Sequence, residues 1–120
     1  HTIWAECFRV LREGGSLLTG IVNPVEYLFD PTIAGEGEFR IKCSLPYSDA
    51  ASISEAEREN LYGKNAPLEY SHTLEDQIGG QIKAGFVIVG FFEDYRSDSP
   101  IKNYMPSYIA TRSLKPGQTT

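Results

Sequence analysis

His72 is the residue in this 120-residue chain with the clearest capacity for chemistry. Imidazole is the side chain suited to proton transfer at physiological pH, and Glu75 and Asp76 follow within four positions. A histidine held near carboxylates can act as a general base and deprotonate an acceptor. The same placement also suits a hydrogen-bonded structural histidine beside the helix start at Thr73. Glu75 and Asp76 fall in a first helical turn, where the dipole stabilises carboxylates without any catalytic role. A second group is aromatic. Tyr27, Phe29 and Tyr47, with Tyr70 beside His72, can line a substrate pocket, although loop aromatics equally serve to anchor a loop to a core. Asn23 precedes Pro24 at a strand exit, where it can bind a substrate or simply make the turn. Tyr95, just past the most apolar strand, is open to both readings.

Several chemistries lack their residues. One internal histidine and two cysteines 36 positions apart give no ligand spacing for zinc. No strand leads into a Gly-x-Ser-x-Gly turn, so a serine hydrolase is possible in composition only. The net charge is −5 with acids and bases interspersed, a poor basis for neutralising phosphates, and no nucleic-acid partner is expected. No apolar run approaches the roughly 18 residues of a membrane span, and no charged-then-apolar leader is seen, so no membrane partner is expected. Cys7 and Cys43 read as reduced thiols of a cytoplasmic protein. His1 is given no role.

The elements that must position these residues follow from periodicity. Trp4, Phe8 and Leu11, with Val10 beside them, make one helical stripe, and Arg9 and Arg12 face the negative end of that helix. Gly14 suits a left-handed cap and Gly15 continues the turn. Ser16 to Val22 is a short apolar run consistent with a strand covered on both faces, ended by Asn23-Pro24. Phe39, Ile41, Cys43 and Leu45 alternate with Glu38, Arg40, Lys42 and Ser44, the pattern of a half-buried strand. Leu68, Tyr70 and His72 form a weaker partner strand. Between them Ser54 to Glu57 has capping-box spacing for a short helix toward Leu61 and Gly63. Residues 24–72 thus read as an inserted hairpin with a small helix, within a single domain over 1–120.

A second helix-glycine-strand unit follows. Thr73 and Asp76 start the helix, Leu74, Ile78 and Ile82 stack along it, and Gly79-Gly80 suggest close packing of helix on sheet. Gly85 ends it before the apolar run Phe86 to Phe92. The last strand, about Ser107 to Leu114, is reached without a convincing helix. Parallel neighbours need a crossover of a dozen or more residues, so this strand should run antiparallel. The polar tail 115–120 reads as frayed and flexible.

Cys7-Phe8-Arg9-Val10-Leu11-Arg12-Glu13-Gly14-Gly15 followed by Ser16-Leu17-Leu18 resembles the R-V-L-K-P-G-G passage of class I S-adenosylmethionine-dependent methyltransferases. There it leads into the fifth strand of a seven-stranded sheet. Thr73 through Gln81, with Phe86-Val87-Ile88, is similar to the last helix and sixth strand. Tyr108 to Arg112 is similar to the antiparallel seventh strand. Arg12-Glu13 replaces the lysine-proline common in the family. The resemblance implies an α/β fold, the C-terminal half of a Rossmann-like methyltransferase sheet, with the 24–72 hairpin and short helix inserted.

In that family a glycine-rich loop after the first strand and an acid closing the second grip the cofactor. Neither is found in this sequence, which reads as the downstream part of a longer fold. The resemblance implies S-adenosylmethionine as the cofactor of the complete enzyme, with none expected on this chain alone, and methyl transfer by in-line displacement to a small-molecule acceptor. Ligands of open α/β sheets bind beyond the carboxyl ends of the strands, so the insertion is expected to act as a substrate-side wall or lid. The alternative is a non-catalytic module that self-associates as a homodimer or higher oligomer through the free edge of strand 16–22.

Overall fold

The computed structural model describes residues 2–34, 36–46, 48, 56 and 71–117, which divide between two compact units. The first comprises residues 1–23, 74–95 and 106–120, and the second residues 24–73 and 96–105.

The first unit is a helical layer on a three-stranded sheet. Helix α1 (Thr2–Val10) leads to strand β1 (Ser16–Val22) through Gly14, whose φ of 79° is the left-handed turn expected there. A π-helical turn (Glu75–Gly79) continues into helix α3 (Gly80–Ala84), and Gly85 closes it with φ 114°. Strands β2 (Val87–Asp94) and β3 (Tyr108–Leu114) complete the sheet in the order β1-β3-β2. The last strand lies in the centre and runs antiparallel to both neighbours, as the loop-length argument expects. β1 and β2 are therefore parallel to each other. Val22 and Asp94 both pair with Tyr108, so Asn23 and Tyr95 leave the sheet at the same, carboxyl end.

The core lies on one face of this sheet. Phe86 and Ile109 are buried, and the Phe8 ring meets Phe86 edge-to-face at 5.1 Å. Gln81 is also fully buried, which demands partners for its amide. Its Nε2 donates to the Gln77 carbonyl at 2.9 Å and to Thr111 Oγ1 at 3.3 Å. The Ser113 hydroxyl donates to Gln81 Oε1 at 2.5 Å, and the Thr19 and Thr111 hydroxyls are hydrogen-bonded to each other. A satisfied polar network of this kind fixes how the helix sits on β3.

Five expectations need correction. β1 is covered on one face only, since Leu18 is 75% exposed and burial alternates along the strand. Among the described residues no second layer lies over that face, where Val22, Val87, Phe92 and Tyr108 are also exposed. Residues 38–45 form no regular strand. Their backbone bonds go instead to the preceding loop, from the Asp30 N–H to the Arg40 carbonyl and from the Lys42 and Cys43 N–H groups to the Leu28 carbonyl, with an isolated bridge between Phe29 and Ile41. Of the expected partner strand at 68–72, the described residues Ser71 and His72 are in no strand, while 68–70 and nearly all of the short helix at 54–61 lie outside the described residues.

The third correction concerns the second helix. Leu74 and Ile82 are exposed, while Gly80 and Gln81 are buried. A π turn holds one more residue than an α turn, so it rotates the downstream stripe out of the phase that four-residue spacing assumes. Fourth, Gly80 serves helix-on-helix packing rather than helix-on-sheet packing: a Cβ there would lie 2.6 Å from Trp4 Cδ1. The Trp4 indole also donates to the Asp76 carbonyl at 3.0 Å. Finally, Lys115 is not frayed. Its ammonium donates to the carbonyls of Phe8 and Leu11 at 2.7 and 2.8 Å and lies 4.6 Å from the Phe8 ring centre. It caps the carboxyl end of α1, the role assigned to Arg9 and Arg12, whereas Arg9 pairs with Glu6 on the exposed face. Residues 118–120 lie outside the described residues.

Candidate functional site

Both segments of the second unit follow, in chain order, the carboxyl ends of strands: Pro24–Thr73 comes after Asn23, and Arg96–Met105 after Tyr95. The second unit is built from short pieces. Pro24 opens a 3₁₀ turn (Pro24–Leu28), helix α2 (Pro31–Ala34) follows, and a second 3₁₀ turn (Pro100–Asn103) starts at Ser99, whose hydroxyl accepts from the Ile101 N–H at 3.4 Å.

Phe29, Gly37, Phe39, Ile101, Tyr104 and Met105 line an open pocket of about 480 Å³, with Glu38 at its side; of the two 3₁₀ turns the second contributes to the lining, through Ile101. Ile101 is 3% exposed and is the most buried of these residues. Phe39 sits between two rings in edge-to-face contact, 5.6 Å from Phe29 and 5.5 Å from Tyr104. Gly37 turns the chain with φ 85°, a conformation that suits glycine. Glu38 accepts from Arg40 Nη2 at 2.8 Å, an exposed ion pair. A concave, mostly apolar surface of this volume with few polar groups is the usual form of a small-molecule site.

A charged cluster ties the two segments of this unit together. Arg96 makes two parallel bonds to Asp98, at 3.0 and 3.2 Å, and another to Glu26. Both carboxylates raise the guanidinium pKa, Asp98 foremost, and Arg96 in turn holds the Asp98 carboxyl below the usual range. The second Glu26 oxygen is buried without a hydrogen-bond partner among the described residues.

Of the residues singled out from sequence that are described, only Phe29 lines the pocket. Tyr27 is half-buried in the first 3₁₀ turn. Asn23 and Tyr95 belong to the carboxyl end of the sheet, where the Asn23 N–H donates to the Ser107 carbonyl at 2.7 Å and the Tyr95 N–H to Asp94 Oδ1 at 2.8 Å. His72 is exposed. Tyr47 and Tyr70 lie outside the described residues. Sequence reading missed Phe39 as a pocket residue because it assigned it to a strand face. It also missed Ile101, Tyr104 and Met105, although Ser99-Pro100 is a turn-starting pair and the three apolar residues follow at one-turn spacing.

Comparison with known proteins gives this geometry a context. Over 113 residues, 94% of its length, the chain is 42% identical to the uncharacterized methyltransferase YbaJ of Bacillus subtilis (strain 168). No family model matches the chain. Its fold is shared with the crystal structure of a proposed S-adenosylmethionine-dependent methyltransferase from Listeria monocytogenes, with a TM-score of 0.55, 14% identity and 96% of the chain covered. The resemblance read from the sequence therefore holds: the chain is homologous to part of a methyltransferase and folds as part of one. It spans 44% of the Bacillus relative and 54% of the Listeria chain.

The described glycines do not fit a sulfonium-nucleotide cradle, which needs backbone N–H groups converging at a strand-to-helix turn. Gly14 and Gly15 join a helix to a strand. Gly79 and Gly80 lie within a helix, Gly80 closed against Trp4, and Gly85 is closed against Phe8. Among the described residues no three of His, Cys, Asp and Glu are placed to hold a metal ion, and no helix is long and apolar enough to cross a membrane.

Proposed function

We propose that these residues are the substrate-recognising, C-terminal part of an S-adenosylmethionine-dependent methyltransferase, inactive without the part that holds the cofactor. The carrying observation is the sheet itself: two parallel strands flank a reversed last strand, on a chain 42% identical to a methyltransferase of which it spans less than half. The open apolar face and a β1 edge that no strand pairs among the described residues fit a sheet that continues in a larger protein. In this reading S-adenosylmethionine binds outside these residues, the second unit recognises a small-molecule acceptor, and the reduced cysteines Cys7 and Cys43 suit a cytoplasmic setting. Catalytic residues are not assigned.

The test is a chimera in which this chain replaces its matched stretch in the Bacillus relative. The chimera is expected to bind S-adenosylmethionine and to transfer its labelled methyl group into a small-molecule extract, while the 120 residues alone do neither. A labelled product from this chain alone would contradict the division of labour.

The exposed sheet face favours a second reading, a non-catalytic module that self-associates through the β1 edge and the apolar residues beside it. Sedimentation at micromolar concentration is then expected to show dimers or larger species that dissociate in a Phe92→Lys variant. A monomer at all concentrations would dismiss this alternative.

A further inference from the structure

We propose that the pocket of the second unit takes a flat, uncharged aromatic molecule of one or two rings, an assignment that rests on the acceptor-side reading above. Its composition carries the inference. Three of its seven lining side chains are aromatic, and Ile101 and Met105 supply the rest of the apolar surface. Two of the rings are held in place by edge-to-face contacts with Phe39, so binding does not have to order them.

Tyr104 remains 73% exposed at this pocket, unusual for a large ring already fixed by a neighbour. Covering its free face with another π-system removes apolar surface from water and adds ring-on-ring contact. An alkyl chain gains the first of these and not the second. The volume of about 480 Å³ suits one or two fused rings with their substituents.

Charge narrows the class further. Among the described residues the lining contains no lysine, arginine or histidine, so these residues offer no direct counter-charge to a carboxylate, phosphate or sulfate on the ligand. Glu38, the lining carboxylate among the described residues, is paired with Arg40, so little net negative charge is left to draw a ligand ammonium, while its remaining lone pairs still accept hydrogen bonds. Glu38 and the Tyr104 hydroxyl are left as polar groups that orient a neutral hydroxyl or amine on the ring. Among small-molecule acceptors, these features select an aromatic one over an alkyl chain or a charged polar substrate.

The test is fluorescence titration of the full chain with 6-propionyl-2-(dimethylamino)naphthalene, a neutral two-ring probe, followed by displacement. Saturable one-to-one binding is expected. Tyr104→Ala and Phe39→Ala should each weaken it about three- to tenfold, the range of one aromatic contact. Tyr104 is exposed, so its truncation leaves the fold intact and keeps the test valid even where Phe39→Ala unfolds. Phe92→Ser, on the open sheet face, should leave the affinity unchanged and so separates pocket binding from adsorption to that face. 2-Naphthol should displace the probe at least tenfold more strongly than 2-naphthoate, 1-naphthylmethylammonium or 1-decanol. Equal displacement by decanol or by either charged analogue would overturn the assignment, as would binding that Tyr104→Ala leaves unchanged. The titration requires no turnover, so its failure is distinct from failure of the chimera to transfer a methyl group.

Discussion

Gly79 and Gly80 are adjacent in sequence and opposite in surroundings. A methyl group on Gly80 would enter the Trp4 ring, whereas the nearest atom to one on Gly79 is the end of the Glu75 stem at 3.8 Å. Gly80→Ala should therefore lower stability by about 1–3 kcal/mol through overpacking. Gly79→Ala should be neutral or stabilising by up to about 1 kcal/mol, since alanine favours the helix. Thermal melts of the two variants check this, and equal losses would contradict the placement of Trp4. Arg96 offers a second test at this scale. It holds the Asp98 carboxyl below its ordinary value of 3.8, because the guanidinium favours the charged form. The resulting stabilisation is present above that ordinary value and disappears as pH falls through the lowered one. Carbon-detected NMR titration should place the Asp98 midpoint below 3.8 and return it to the ordinary range in Arg96→Gln. An unchanged midpoint would remove Arg96 from the account.

Lys115 shows how an element near the chain's start depends on a residue near its end. Helices leave their last carbonyls without intrahelical partners, and α1 has two of them met by one ammonium. Lys115→Met keeps the apolar stem and removes the charge, so it should destabilise the protein by about 1–2 kcal/mol, read by denaturant melts. Lys115→Arg should show no such loss if its guanidinium reaches the same carbonyls. A melt unchanged by Lys115→Met would show that water caps α1 equally well. No local pattern could reveal this contact, because it joins residues more than a hundred positions apart. The elements themselves were more legible. β1, β2 and β3 have dense apolar runs bounded by glycine, proline or asparagine, and each occupies nearly the range its residues indicate. Residues 38–45 alternate as cleanly, yet their backbone groups find partners in the 28–30 loop and no ladder forms. Alternation reports which side chains face inward, and Cys43 is indeed buried, but it does not say where the N–H groups go.

At the scale of the whole molecule, the reversed last strand and the helix-glycine-strand units were readable because loop length and periodicity are local quantities. The pocket was not, since it is assembled from Phe29, residues 37–39 and residues 101–105, which are far apart in the chain. The exposed apolar face was also hidden: an apolar run looks the same whether its second face is covered within the chain or left open. That face, the β1 edge that no described strand pairs and the partial span of the methyltransferase relatives lead to one central claim, that the acceptor side resides here and the cofactor grip elsewhere. Calorimetric titration of the 120 residues with S-adenosylmethionine tests it most directly. The account predicts no stoichiometric binding; a tight one-to-one isotherm would place the cofactor site within these residues and contradict it.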